Sequence, residues 1–129
     1  MTTTRRRVLL VEDDASGRDA FVDLLTLSGY DVHAAEDGAA AEFAVRWCPD
    51  IAVVDLGLPD RNGTEVVARL VAQGVHVVAF SGWHHLRDGA LAAGADAFVL
   101  KPDVSELMRV LARLEEGLPA RDEWSGGGR

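Results

Sequence analysis

Five short apolar runs rich in β-branched residues recur at a steady interval along the chain: Arg7–Val11, Tyr30–Ala35, Ile51–Val54, Val75–Phe80 and Ala97–Leu100. Three of them are nearly continuous hydrophobic stretches, the pattern of a strand covered on both faces. Helical patterns lie between them. Phe21, Leu24 and Leu25 fit one face of a first helix, closed by Ser28-Gly29. Ala40, Phe43, Ala44 and Trp47 fit a second, closed before Pro49. Val67, Leu70 and Val71 fit a third, ended by Gly74. A fourth, about Leu86–Ala93, is short and holds Gly89 in its interior, at a cost of about 1 kcal/mol. Val104, Leu107, Met108, Leu111 and Leu114 form the strongest apolar stripe and make the fifth. Asn62 with Glu65, and Asp103 with Glu106, read as capping boxes opening the third and fifth helices. Alternation of this kind predicts an α/β domain: a parallel sheet, right-handed crossovers and helices on both faces. The period of roughly twenty residues is near the minimum for such a unit, so it is a fold period and not a solenoid. One domain accounts for residues 5–116. Residues 117–129 lack periodicity and end Ser-Gly-Gly-Gly-Arg, which reads as a flexible tail with Trp124 uncommitted.

Composition narrows the function. Hydrophobic residues make up 48% of the chain, enough for a packed core. Asp and Glu total 21 against 13 Lys and Arg, a formal net charge of −8, which disfavours contact with nucleic-acid phosphates or anionic lipid. No stretch approaches the roughly 18 apolar residues of a membrane span. The apolar run behind the N-terminal arginines, Val8 to Val11, is too short for a signal-peptide core. The single cysteine, Cys48, cannot form an internal disulfide, which suits a reducing cytosol. Together these predict a cytoplasmic domain with no nucleic-acid or membrane partner. Cys48 itself is expected to be buried at a helix end. Arg5–Arg7 are expected to be a solvated lead-in to the first strand. His84 and His85 are adjacent, so they should point apart and not chelate.

In open α/β sheets, ligands sit beyond the carboxyl ends of the strands. Those ends carry Glu12-Asp13-Asp14 after the first strand, Asp55 after the third, Ser81 after the fourth and Lys101-Pro102 after the fifth. Glu36-Asp37, after the second, reads as an ordinary helix cap. Each polar residue alone could be a cap, a turn or a surface group; mutually compatible groups from four strand ends at one edge indicate a site. Clustered carboxylates repel one another, so at least one should have a raised pKa. A hard divalent cation relieves that repulsion, and an oxygen-only donor set suits Mg²⁺ with several waters. With Mg²⁺ and Lys101 a phosphoryl group becomes acceptable, and Asp55 could act as a carboxylate nucleophile. Ser81 is placed to donate a hydrogen bond to that group.

Val8-Leu-Leu-Val-Glu-Asp-Asp14, Val54-Asp-Leu-Gly-Leu-Pro-Asp-Arg-Asn-Gly63, Phe80-Ser81, Ala93-Gly-Ala-Asp-Ala-Phe98 and Lys101-Pro102 occur in the order of the response regulator receiver domains of two-component signalling, which the chain resembles over roughly residues 5 to 116. The resemblance implies a flavodoxin-like (βα)5 fold with strand order 2-1-3-4-5. It implies that Asp55 is the phosphoacceptor, and that Asp13, helped by Glu12 and the Gly57 carbonyl, joins Asp55 in holding Mg²⁺. Ser81 and Phe98 match the two switch positions, and Lys101 the phosphate-contacting lysine. The implied partners are a sensor histidine kinase or phosphotransfer protein, and a downstream protein docking on the face of the fourth helix, fifth strand and fifth helix. Such a domain is not an enzyme beyond its own phosphorylation and autodephosphorylation. Four departures are visible. Serine replaces the commoner threonine at 81, Gly82 follows where alanine is common, the stretch Gly82 to Arg87 is short, and Asp103 stands where a bulky apolar residue is frequent. Two other readings are compatible with the residues: a receiver-shaped scaffold that is never phosphorylated, and a Mg²⁺-dependent phosphohydrolase. The second would want an acid/base carboxyl two residues after Asp55, where Gly57 stands.

Overall fold

The computed structural model describes residues 5–119. Five parallel strands, β1 (Arg7–Val11), β2 (Asp31–Ala35), β3 (Ile51–Val54), β4 (His76–Ser81) and β5 (Ala97–Leu100), form one sheet in the order β2-β1-β3-β4-β5. This is the doubly wound order, and the sequence reversal next to β1 opens a crevice at the carboxyl ends of β1 and β3. Register places Val11 beside Val54, so Glu12 and Asp55 leave the sheet at the same level.

The helices are α1 (Ala15–Leu27), α2 (Gly38–Ala44), α3 (Gly63–Ala72), α4 (Arg87–Ala92) and α5 (Val104–Gly117). Alternate side chains of the central strands bury on opposite faces and build two cores. Leu9, Val11, Ala52, Val54, Val77 and Ala79 meet α2, α3 and α4. Val8, Leu10, Ile51, Val53, Val78 and Phe80 meet α1 and α5 through Leu25, Leu107 and Leu111. The central runs, β1, β3 and β4, therefore form strands because both their faces find apolar cover, while the edge strands β2 and β5 keep exposed residues. Among the described residues no helix is long and apolar enough to cross a membrane.

Caps fix the helix starts. Asp14, Asp37 and Asp103 each accept a hydrogen bond from the backbone N–H three residues on, and Asn62 accepts from Thr64 N. The expected capping boxes do not close: Asp103 forms its half while the Glu106 carboxylate pairs with Arg109, and Asn62 caps Thr64 N in place of Glu65 N while the Glu65 carboxylate lies 3.5 Å from Arg69. Gly29 and Gly74 end α1 and α3 with positive φ, the conformation a side chain disfavours.

Several expectations need correction. The second helical stretch is split into α2 and a 3₁₀ turn, Val45–Trp47, and Phe43 is 68% exposed. Small residues, Ala41 and Ala44, take the buried positions, which lets α2 pack close to the sheet. Cys48 does stand at a helix end, but it is exposed, in the left-handed region at φ 58°. Arg6 and Arg7 are not merely solvated. Arg6 donates to the carbonyls of Leu118 and Pro119, and Arg7 donates to the Trp47 carbonyl and stacks on its ring, 5.5 Å from the centroid. A 3₁₀ turn, His84–Leu86, precedes α4, which is correspondingly shorter than expected. Helix α5 runs through Gly117, and Leu118 packs on the second core. The tail reading otherwise falls on residues 120–129, Trp124 included, outside the described residues.

Candidate functional site

Glu12 is the first residue beyond β1, Asp55 the first beyond β3, Ser81 the last of β4 and Lys101 the first beyond β5. The sheet brings all four to one edge. One oxygen from each of Glu12, Asp13 and Asp55 lies within 4.8 Å of the other two. Lys101 Nζ crosses from the far side to donate to Glu12 Oε1 at 2.5 Å and Asp55 Oδ2 at 3.2 Å. The carboxylates outnumber this ammonium three to one. An all-oxygen set with surplus negative charge and an exposed member, Asp13, fits a hard divalent cation that keeps part of its water shell.

Burial tunes these groups unequally. Glu12 is only 3% exposed, and that burial is the largest influence raising its carboxyl above the ordinary value. The bond from Lys101 opposes the rise, and the neighbouring Asp55 adds to it. Like-charge repulsion is thus present, as the clustering predicts, but secondary to desolvation. Burial also disfavours the Lys101 charge; the two carboxylates outweigh it and hold that pKa above the ordinary value.

The loop after Asp55 is fixed by its own chemistry. Gly57 N donates to Asp55 Oδ1 at 3.1 Å. Farther on, Asp60 accepts from Gly38 N and Ala39 N at 2.9 and 3.0 Å, tying the loop to the start of α2. Arg61 lies across Gly38 and pairs with Glu42. Ser81 is fully buried; its Oγ accepts from Trp83 N at 3.2 Å, and its carbonyl accepts from Lys101 N at 2.9 Å. Phe98 is half-buried against the α2–α3–α4 core. Trp83 is 61% exposed, its ring edge-on to His85. The His84 and His85 rings stand nearly perpendicular, 6.4 Å apart.

Reading strand ends alone misses the groups that hold this site from the helices. Arg18, one turn into α1, donates through Nη1 to the carbonyls of Glu12 and Asp13 at 2.9 and 3.3 Å. Phe21 and Phe80 stack edge to face at 5.2 Å, and Lys101 Nζ lies 5.8 and 5.6 Å from their ring centroids. No spacing in the sequence marks Arg18, because its partners are backbone carbonyls of the β1–α1 link.

The sequence matches the family model of the response regulator receiver domain over residues 8–112. It is 38% identical over 125 residues to the virulence transcriptional regulatory protein PhoP of Salmonella typhimurium, covering 89% of this chain and 55% of that protein. To the transcriptional regulatory protein PhoP of Escherichia coli K12 it is 35% identical, covering 89% and 56%. The chain therefore spans about half the length of these curated relatives. Among solved structures, a CheY-like receiver domain from Methylobacillus flagellatus superposes with a TM-score of 0.78 at 28% identity, covering 86% of this chain and 99% of that one. The receiver domain of the Pseudomonas aeruginosa sensor histidine kinase PA1611, described with a magnesium ion coordinated in its active-site cleft, gives 0.77 at 27% identity, covering 86% and 98%. With its strand order, its acidic crevice and a match across most of its length, the chain belongs to the response regulator receiver domain family.

Proposed function

We propose that this chain accepts a phosphoryl group on Asp55 from a phosphohistidine of a sensor kinase or phosphotransfer protein, and changes shape in response. An Asp55 carboxylate oxygen attacks phosphorus, the P–N bond breaks, and its electron pair returns to the histidine ring. The observation that carries this reading is Lys101 bridging Glu12 and Asp55 beside the exposed carboxylate of Asp13. Glu12, Asp13, Asp55 and the Gly57 carbonyl would hold Mg²⁺, which would offset charge on the transferring group. The magnesium described for the Pseudomonas relative supports that choice of metal. Lys101 can leave Asp55 for the incoming phosphoryl oxygens while it keeps Glu12.

The buried hydroxyl of Ser81 borders the same crevice. Phosphorylation adds about −1.5 to −2 charge and three acceptor oxygens, toward which Ser81 can turn its proton. A shift of Oγ toward the phosphoryl group lengthens its bond from Trp83 N and changes the space beside Phe98. The output is protein binding on the face of α4, β5 and α5, in the cytoplasm. The chemistry is confined to the domain's own aspartate, with no turnover of a diffusible substrate.

The test is intact-mass analysis after exposure to acetyl phosphate. One phosphoryl group should add in the presence of Mg²⁺ and none in excess chelator. Asp55→Asn should take up none, and Asp13→Asn should label slowly. Label that survives in Asp55→Asn would remove the assignment. Absence of label in the wild-type chain, from both acetyl phosphate and kinase, would favour the unphosphorylated scaffold.

A further inference from the structure

The three-residue link between β1 and α1, Glu12 to Asp14, carries two of the three carboxylates of the acidic site. Its ends are well tethered. Glu12 N donates to the Ala35 carbonyl at 3.0 Å, Glu12 Oε1 accepts from Lys101, and Asp14 Oδ2 accepts from Gly17 N at 2.7 Å. Asp13, between them, is different. Its side chain is exposed, and among the described residues no hydrogen bond or ion pair reaches its carboxylate. A carboxylate with no partner of its own is aimed by its backbone.

That backbone is held from α1. The carbonyls of Glu12 and Asp13 belong to the two peptide planes on either side of the Asp13 Cα. Arg18 Nη1 donates to both, at 2.9 and 3.3 Å. Fixing both planes fixes the Asp13 backbone angles, and with them the direction of its Cα–Cβ bond. We infer that Arg18 is a positioning residue that aims the Asp13 carboxylate at the metal site. This rests on the reading that Mg²⁺ binds between Asp13 and Asp55.

The sign of the effect separates this role from others. The Arg18 charge lies close to the crevice, so by Coulomb's law alone its removal would tighten the binding of a cation. A residue serving only to stabilise the helix would leave Mg²⁺ affinity unchanged. A positioning residue, when lost, weakens it, because the carboxylate must then be ordered at the cost of binding.

The experiment is a Mg²⁺ titration of the full chain, followed by amide NMR shifts of Glu12, Asp13 and Asp14. Arg18→Ala should raise the Kd about tenfold. Arg18→Lys should fall between, since it keeps the charge but not the planar, multi-donor head. Adding Arg18→Ala to Asp13→Asn should change the Kd little further, because the group being aimed is already altered. In metal-free protein, Arg18→Ala should also speed hydrogen exchange at the Asp13 and Asp14 amides. An equal or tighter Kd in Arg18→Ala, beside a wild type that binds, overturns the role of Arg18. A wild type that ignores Mg²⁺ overturns the metal reading instead, and unchanged exchange would then dispose of the tether as well. Should Arg18→Ala fail to fold, the same comparison is made with Arg18→Lys.

Discussion

Tyr30, the only tyrosine in the chain, shows how far a single side chain can be tuned by what surrounds it. It is buried where β2 begins, and its phenol donates to Glu115 Oε1 on α5 at 3.3 Å. Burial first, then the Glu115 charge and the hydrogen bond, push its pKa up from 10.0 to about 12. The fold thus holds the neutral phenol. The stability this contributes is complete below the ordinary value of 10.0, and is lost as pH rises through about 12. At about pH 11 the folded chain should show little tyrosinate absorbance, with full ionisation on adding denaturant. Glu115→Gln should lower the midpoint only in part, because burial is the larger cause. A native midpoint near 10 would contradict the burial of the phenol. Nothing in the sequence around Tyr30 announces Glu115, which is 85 positions away. Asp55 and Lys101 are farther than neighbours too, yet their meeting was legible, because each follows an apolar strand directly and parallel strands end at one edge. Arg18 and the Phe21–Phe80 pair were not. Their importance lies in where a helix face falls relative to that edge, which periodicity does not specify.

At the scale of elements, glycines report where two segments come closer than side chains permit. Gly63 opens α3, and a Cβ built there would lie 2.3 Å from the Leu56 Cα and 2.5 Å from its carbonyl oxygen. Leu56 is buried and follows Asp55, so neither backbone can retreat without moving the loop that carries Asp55. Gly63→Ala should therefore cost about 3 kcal/mol in chemical denaturation and also lower the rate of Asp55 labelling. Loss of less than about 1 kcal/mol would mean that the loop is looser than this contact implies. Gly89 is the opposite case. It is exposed within α4, and a Cβ there would meet only Thr64 Cγ2, at an ordinary 3.6 Å. Helix α4 has no side-chain cap and six residues, so the flexibility of Gly89 is a cost with no packing return. Gly89→Ala should stabilise the chain by about 0.5–1 kcal/mol and slow amide exchange within α4. Unchanged exchange there would mean that the limit is the uncapped end and not the glycine. Both positions were visible in the sequence. Only the cost of Gly89 is legible from helical position alone, because a close backbone approach such as that of Gly63 is a tertiary fact. The same limit explains Phe43. Helical spacing placed it with Ala40, Ala44 and Trp47, but the backbone turns to 3₁₀ at Val45 and the ring is left exposed beside Arg46.

Across the described residues, the sheet separates two ends with different chemistry, and Trp47 and Trp83 sample them. Trp47 sits just before β3, under Arg7, with the His33 ring 5.5 Å away; this is the amino edge of the sheet. Trp83 follows Ser81 by two residues at the carboxyl edge, and its backbone N–H is held by the Ser81 hydroxyl. The alternation of strands and helices made this polarity readable in advance, since every parallel strand enters at one end and leaves at the other. What alternation could not supply was the exposure of the Trp83 ring, which depends on the 3₁₀ turn at His84–Leu86. An event at Asp55 that draws the Ser81 oxygen itself toward a phosphoryl group lengthens its bond from Trp83 N. The indole then moves relative to His85 and to solvent, while Trp47 lies at the opposite end of the strands. Beryllofluoride with Mg²⁺ should therefore change tryptophan emission, and the change should largely vanish in Trp83→Phe while persisting in Trp47→Phe. Ser81→Ala should also suppress it, even where the analogue still binds, because the hydroxyl that links crevice to indole is gone. An emission change that survives in both Trp83→Phe and Ser81→Ala would place the moving element elsewhere than the β4–α4 connection.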